Sequence, residues 1–247
     1  MPPERDRRDR REHPDDVSWP RRLAAEVLGT FALVFAAAGA DVMAAVSGGE
    51  IGVAARAVAP GLIVGALIYA VGDVSGAHFN PAISLAFSAR RLFPANWLPA
   101  YWLAQLAGAI AAAALLRGLF GATIAAGVST PHVPVLAALA IEIVLTMLLA
   151  TIVLGTADRY RIVGPNGAVA VAATIAMAGL IALPIEGASM NPARSLGPAI
   201  LAGDVANVWI YVVGPVVGAL IAVALAWLLH GPREPDDGPR EAARGEA

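Results

Sequence analysis

The chain contains 247 residues, of which 58% are hydrophobic and only 15% are charged, with a formal net charge of -2. Soluble domains are about a quarter charged, and the mean hydropathy of +0.68 is too high for a water-soluble globule, so we predict an integral membrane protein. Cysteine is absent, which excludes disulfides, thiolate metal sites and cysteine nucleophiles. The arginines near the N-terminus are interleaved with acidic residues, a pattern that disfavours nucleic-acid binding.

The apolar segments have two lengths. A helix needs about 20 mostly apolar residues to cross about 30 Å of hydrocarbon. Six stretches satisfy this requirement: Leu23–Val46, Val53–Gly72, Trp97–Leu116, Val135–Leu154, Gly167–Leu183 and Val208–Leu229. Asn80–Ala89 and Asn191–Leu201 are shorter, and as helices each would rise only about 15 Å. The sequence predicts an all-α membrane protein with six transmembrane helices plus two re-entrant half-helices.

Arginine is unevenly distributed between the segments that connect these spans. Seven arginines precede residue 23, and further ones follow spans 2, 4 and 6, whereas only Arg56 and Arg117 fall on the other side. The positive-inside rule therefore places both termini in the cytoplasm of a multi-pass cell-membrane protein. Residues 1–20 and 231–247 are expected to be disordered cytoplasmic tails, flanking a membrane domain of residues 21–230.

The short segments belong to an internal repeat. Asn191 lies 111 residues after Asn80, and the surrounding sequences SGAHFNPAISL and EGASMNPARSL share Gly-Ala, Asn-Pro-Ala and Ser-Leu. Each half, about residues 21–118 and 133–230, contains three spans, and this odd number makes the second half enter the membrane from the opposite side. The halves are predicted to form an inverted 3+3 repeat, whose interrupted helices point to the permeation site.

The paired Asn-Pro-Ala sequences carry the chemistry. Asparagine is a strong N-cap and proline is preferred at the first helical position, so one copy alone would indicate only a helix start. Two copies in related halves indicate a pore, because non-helical backbone at membrane depth must be buried or line a water-filled cavity. Facing helix N-termini each carry about half a positive charge, and asparagine amides can donate to a passing oxygen atom. Such a pore passes neutral polar molecules and excludes ions and protons.

The segments SGAHFNPAISLAF and EGASMNPARSLGPAI, with AEVLGT in span 1, resemble the major intrinsic protein family, the aquaporins and aquaglyceroporins. The resemblance covers roughly residues 20–230 and is to a bacterial-type member with a small-residue constriction. It implies a right-handed bundle, one pore per subunit, a homotetramer and no cofactor or metal. It places both motifs in the pore: Asn80, Pro81, Ala82, Asn191, Pro192 and Ala193.

The resemblance also implies a selectivity filter of four residues. By family spacing these residues are Pro60, Gly179, Ala188 and Arg194. Water-selective relatives typically have an aromatic residue at the first position and histidine at the second. Because three of the four residues are small here, we expect a wide filter with Arg194 as its strong polar group. Ser195 stands where glycerol facilitators usually have aspartate. The filter region therefore combines small residues that favour solutes larger than water with one residue that is not typical of glycerol facilitators.

Five other residues attract attention. The resemblance implies that Glu26 and Glu142 brace the re-entrant loops through backbone hydrogen bonds, with a proton relay as the weaker alternative. His78 matches a loop histidine of the family; it is expected either in the cytoplasmic vestibule or as a packed neutral side chain. Asp73 and Glu186 depart from the family pattern, and Glu186 is placed near the outer entrance.

The expected function is a passive channel for water and small uncharged polar solutes, such as glycerol, urea or neutral metalloid hydroxides. Its expected partners are these solutes and the lipid bilayer. A strictly water-selective channel is the alternative. A secondary transporter is a further one, since carriers also contain inverted repeats and broken helices. An enzyme is not expected, because the sequence offers no nucleophile–base pair, metal-ligand cluster or phosphate-binding glycine loop.

Overall fold

The structure is a computed structural model that describes residues 17–158, 166–231 and 243–244. Most of the two predicted tails lies outside these ranges, as do several arginines behind the orientation prediction, including Arg159 and Arg161. Trp19 and Pro20, assigned to the N-terminal tail by the prediction, instead begin the first helix. Proline is favoured in the first turn of a helix, where its missing N–H would have no partner.

The described residues form a bundle of eight α-helices without strands. The helices are α1 (Trp19–Val46), α2 (Val53–Ser75), α3 (Pro81–Ala89), α4 (Leu98–Phe120), α5 (Val135–Asp158), α6 (Gly167–Glu186), α7 (Pro192–Ala202) and α8 (Ile210–His230). Six are long and apolar enough to cross a membrane, whereas α3 and α7 contain only 9 and 11 residues. The predicted fold class is confirmed.

Most spanning helices extend past the ends of the apolar stretches that predicted them. Helix α2 continues to Ser75 and α6 to Glu186. Each then stops at a glycine in the left-handed conformation, Gly76 (φ 85°) and Gly187 (φ 96°). Glycine adopts this conformation without a steric penalty, which is why it commonly terminates helices. Backbone conformation therefore sets these helix ends, and hydropathy locates only their centres.

Glycines bring the helices into close contact at equivalent places in the two halves. A Cβ atom at Gly108 of α4 would overlap the backbone of α1, and one at Gly218 of α8 would overlap the backbone of α5. Between the halves, a Cβ atom at Gly61 of α2 would lie 2.5 Å from the carbonyl oxygen of Ala172 in α6. Small residues allow membrane helices to approach in this way.

The two short helices run from the middle of the bundle to opposite faces. We call the end that contains Trp19 and His230 the terminal face and the other end the opposite face. At the terminal face, beyond the last residue of α3, the Arg90 guanidinium donates to the carbonyl of Gly231 at 3.2 Å. At the opposite face, the Arg117 guanidinium of α4 donates to the carbonyl of Leu201 in α7. The two half-helices thus begin near each other, at the centre of the bundle.

Candidate functional site: a pore between two re-entrant loops

The loops that precede α3 and α7 share an uncommon backbone. Ala77 and Phe79 have φ angles of 50° and 48°, and their repeat equivalents Ala188 and Met190 have 45° and 53°. A residue other than glycine in this left-handed region costs about 1–3 kcal/mol and persists only where its surroundings enforce it. Both loops, residues 76–79 and 187–190, therefore need strong local contacts.

In the first half, these contacts come from Glu26 of α1. Its fully buried carboxylate accepts hydrogen bonds from the backbone N–H groups of His78 at 2.9 Å and Phe79 at 2.8 Å. It also accepts from the Ser75 hydroxyl at 2.8 Å and from the Gln105 side-chain amide at 2.7 Å. Four donors surround this one carboxylate, and charge-assisted hydrogen bonds are the strong ones.

In the second half, Glu142 of α5 has the equivalent position. Its carboxylate, also fully buried, accepts from the backbone N–H groups of Ser189 at 2.6 Å and Met190 at 2.8 Å. Each glutamate thus joins a spanning helix to the two loop amides that precede an asparagine. Because these N–H groups turn toward the glutamates, carbonyl groups of the same loops are left for other partners.

Asn80 and Asn191 use both ends of their side-chain amides. Each Oδ1 caps its own half-helix by accepting a backbone N–H: that of Ala82 at 2.9 Å for Asn80, and that of Ala193 at 3.0 Å for Asn191. Each Nδ2 donates across the bundle to a loop carbonyl of the other half at 2.8 Å. A side-chain amide has two N–H donors, so each asparagine retains one donor for a solute.

A cavity of about 380 Å³ passes both loops. Its walls include the asparagines of both motifs, His78 and all four residues predicted for the filter: Asn80, Asn191, His78, Pro60, Gly179, Ala188 and Arg194. The remaining motif residues, Pro81, Ala82, Pro192 and Ala193, are not among its described wall residues. They form the first turns of α3 and α7, directly after the asparagines that cap these helices.

The predicted filter positions are small for more than one reason. Gly179 of α6 faces α2 closely, and a Cβ atom there would lie 2.7 Å from the carbonyl oxygen of Ala57. Pro60 lies within α2, one turn further along that helix. Glycine at position 179 is therefore required by the packing of α2 against α6, as well as leaving the cavity wide.

Arg194 is buried in the first turn of α7, with 5% of its surface exposed. One terminal nitrogen of its guanidinium donates to the Ser129 hydroxyl. The other lies 3.5 Å from a carboxylate oxygen of Asp41 in α1. The second oxygen of Asp41 accepts from Nε of Arg56 at 2.8 Å. Two arginines thus share one buried carboxylate at the opposite face.

Comparison with known proteins identifies the fold and its class of activity. The sequence model of the family described as "Major intrinsic protein" matches residues 15–226. The chain belongs to this family. Members are channels and not enzymes, so this chain is a multi-pass membrane protein of a channel family for water and small solutes.

Individual relatives agree with this assignment. The chain is 45% identical over 212 residues to Aquaporin NIP1-1 from Zea mays, covering 85% of this chain and 74% of that one. It is 37% identical over 228 residues to Aquaporin NIP6-1 from Arabidopsis thaliana, covering 92% and 74%. The X-ray structure of the aquaglyceroporin from Plasmodium falciparum superposes with a TM-score of 0.78 at 26% identity, covering 87% and 98%. The two curated relatives are plant proteins, which lends no support to the bacterial-type expectation.

The other singled-out residues of this aquaporin-like chain lie in different surroundings. His78 lines the cavity while packing against the rings of Phe87, Phe93 and Tyr101, with centroids 4.7–5.1 Å away. Its Nε2 lies 2.8 Å from the carbonyl oxygen of Ala243, a residue of the predicted C-terminal tail that is fully buried here. Both interpretations of His78, as a wall residue and as a packed side chain, describe part of this arrangement.

Asp73 and Glu186 differ in exposure. Asp73 is exposed and lines the cavity near the terminal face. Glu186 is fully buried, and its carboxylate accepts the backbone N–H of Ala188 at 2.9 Å. Its side chain is not among the described wall residues of the cavity. Glu186 therefore contacts the second re-entrant loop, and its expected effect on the outer entrance stays a prediction.

Sequence reasoning missed Asp41 and Ser129, the partners of Arg194. A signal for Asp41 was present, because it is a carboxylate inside an otherwise apolar span. A charge at that depth is expensive without a partner of opposite charge. Ser129 gave no comparable signal, since a lone serine in a connecting segment is common.

Proposed function

We propose that the chain is a passive channel for water and small uncharged polar solutes, such as glycerol, urea or neutral metalloid hydroxides, and that it excludes ions and protons. The observation that carries this proposal is the cavity itself, which pairs two asparagine amides at its centre with small residues at three of four filter positions. Family membership supports the channel class, and the small residues support the wide range of solutes.

Exclusion of ions follows from the two half-helices. Their N-termini meet at the asparagines, and each contributes about half a positive charge. Toward the opposite face, Arg56 and Arg194 share the Asp41 carboxylate and so retain a net positive charge. Cations are repelled from this region. A water molecule that accepts one hydrogen bond from Asn80 and one from Asn191 has neither lone pair free, so it cannot accept a proton from its neighbour. Neutral molecules with oxygen acceptors experience no such barrier.

Passage of solutes larger than water depends on the filter. Pro60, Gly179 and Ala188 supply no long side chain to narrow the cavity, and the strong polar group among the four positions is Arg194. Its guanidinium can donate to a solute hydroxyl oxygen. The similarity to a solved aquaglyceroporin structure also supports the passage of solutes larger than water.

A strictly water-selective channel is the main alternative, and the curated relatives are named only as aquaporins. A secondary transporter is less well supported. Carriers need a site for a coupling ion or proton, and the two candidate carboxylates, Glu26 and Glu142, already accept backbone N–H groups.

For location and assembly, we propose the cell membrane, a homotetramer and a cytoplasmic terminal face. More of the described arginines at the helix ends lie toward that face than toward the other, as the positive-inside rule requires. Those toward the terminal face include Arg21, Arg22, Arg90 and Arg91, and those toward the opposite face are Arg56 and Arg117. Exposed apolar side chains are distributed along all six spanning helices, which suits both lipid and neighbouring subunits.

Stopped-flow light scattering on proteoliposomes tests the proposal. Sucrose should cause rapid shrinkage, and glycerol should cause rapid shrinkage followed by rapid re-swelling. Re-swelling no faster than in protein-free liposomes would establish the water-selective alternative. Glycerol flux that saturates and requires an ion gradient would instead establish a carrier, whereas a channel gives flux linear in concentration.

A further inference from the structure

Asp41 is a buried carboxylate placed between two arginines of separate elements. It lies in α1 with 7% of its side chain exposed, 2.8 Å from Nε of Arg56 and 3.5 Å from a terminal nitrogen of Arg194. Buried charges are stable only when paired and hydrogen-bonded. The three side chains therefore form one unit, in which Asp41 is shared.

The position of this unit relative to the cavity is informative. Arg56 and Arg194 are wall residues of the cavity, whereas Asp41 is not among its described wall residues. The carboxylate thus lies behind the two guanidinium groups and holds them from the side away from a passing solute. For Arg194, the Ser129 hydroxyl supplies a second attachment, on the other terminal nitrogen.

An arginine without these attachments would have space to move. A released arginine side chain regains rotamer freedom, and the neighbouring filter residues Pro60, Gly179 and Ala188 present no bulk to stop it. A released guanidinium would extend into the cavity. It would obstruct a molecule the size of glycerol more than it would obstruct water.

We propose that Asp41 is a positioning residue that, with Ser129, holds Arg194 against the wall and so sets the largest solute the channel passes. Arg56 binds the other oxygen of Asp41 and keeps the carboxylate directed at Arg194. This inference rests on the proposed function, because it concerns the passage of solutes larger than water.

The test compares glycerol and water permeability in proteoliposomes. Asp41→Asn keeps the shape of the side chain but removes its charge, and the ratio of glycerol to water permeability should fall roughly threefold or more, as expected for residues that share an ion pair. Asp204→Asn is the matched control, since Asp204 is an exposed carboxylate just past the end of α7, and its ratio should equal that of the wild type. Asp41→Glu retains the charge and should restore most of the ratio.

A second pair of variants shows whether Asp41 acts through Arg194. In an Arg194→Ala background, adding Asp41→Asn should lower the ratio less than it does in the wild type, because only the Arg56 guanidinium remains beside position 41. Ser129→Ala removes the other attachment while Asp41 still pairs with the Arg194 guanidinium, and it should lower the ratio in the same direction. This variant keeps the test decisive if Asp41→Asn does not fold.

The inference is overturned by an unchanged ratio in folded Asp41→Asn, by an unchanged ratio in Ser129→Ala, or by a fall on adding Asp41→Asn to Arg194→Ala as large as the fall in the wild type. Its failure is separable from that of the proposed function. A wild type that passes water but no glycerol contradicts the proposed range of solutes. A wild type that passes both, with an Asp41→Asn ratio equal to it, contradicts only the role of Asp41.

Discussion

The ring of Phe79 occupies the space that a side chain at position 29 would need: a Cβ atom at Gly29 would overlap that ring. Phe79 is 1% exposed, so moving the ring would disturb the residues packed around it. Its backbone is also engaged on both sides, through its N–H to Glu26 and its carbonyl to Asn191. A glycine in α1 therefore determines where the first re-entrant loop can lie.

Gly29→Ala should consequently disturb the pore. Displacing the buried ring is an overpacking change that typically costs about 1–3 kcal/mol, and it should lower both the thermal unfolding temperature in detergent and the water permeability of proteoliposomes. Gly118→Ala is the matched control, since a Cβ atom at Gly118 of α4 meets no atom within 4 Å. An unfolding temperature for Gly29→Ala equal to that of Gly118→Ala would contradict the packing argument.

Glu26→Gln should destabilise the first re-entrant loop. A glutamine offers one acceptor oxygen in place of two, so a buried N–H donor would lose its partner, at a cost of about 1–3 kcal/mol. Its new amide group would also face the Gln105 amide, which now donates to the carboxylate. Thermal unfolding and water permeability should both fall relative to Glu50→Gln, a change at an exposed glutamate between α1 and α2. Equal unfolding temperatures for the two variants would contradict the role of Glu26 in stabilising the first re-entrant loop.

Asn191→Asp tests the exclusion of protons. Aspartate can still cap α7, but its carboxylate cannot donate to the Phe79 carbonyl or to a water molecule, and it places a negative charge where the helix N-termini meet. Water permeability should fall, and proton leak, followed with a pH-sensitive dye inside the vesicles, should rise. Asn166→Asp, at an exposed residue before α6, should leave both rates unchanged. Proton leak equal to that of the wild type would mean that the asparagine is not required for exclusion.

The absence of cysteine allows the filter to be probed with mercuric chloride. Pro60→Cys places a thiol in the cavity wall, so the reagent should block water permeability reversibly, with a thiol reductant restoring it. Leu62→Cys is the control, because Leu62 lies two residues further along α2 and is 66% exposed on the outside of the bundle. The wild type and Leu62→Cys should be insensitive. An unblocked Pro60→Cys, or equal block of Leu62→Cys, would contradict the placement of Pro60 in the pore wall.

The sequence predicted the parts of this channel that depend on local pattern. Length and apolarity located six spans, and the repeated Asn-Pro-Ala located the two half-helices, since helix-start chemistry lies within a few neighbouring residues. The fold class followed from these elements together with the odd number of spans in each half.

Contacts between distant residues were not predictable in this way. Asp41 reaches Arg194 and Gly29 makes room for Phe79 only because α1 lies against both loops. Nor does the identity of Phe79 or Met190 indicate a left-handed backbone, which their surroundings impose. Each of these features depends on helix packing, and the sequence carries no periodic signal for it.

The contact between Gly179 and Ala57 bears on how this channel could change during evolution. A single mutation that enlarges residue 179 would force α2 away from α6, so it would be removed by selection for stability before any new selectivity could be favoured. Position 188 has a different constraint, because its left-handed backbone (φ 45°) disfavours branched or bulky side chains. Adaptation toward a narrower channel is therefore expected to begin at position 60, which lines the cavity in α2, with position 179 changing only after α2 has shifted.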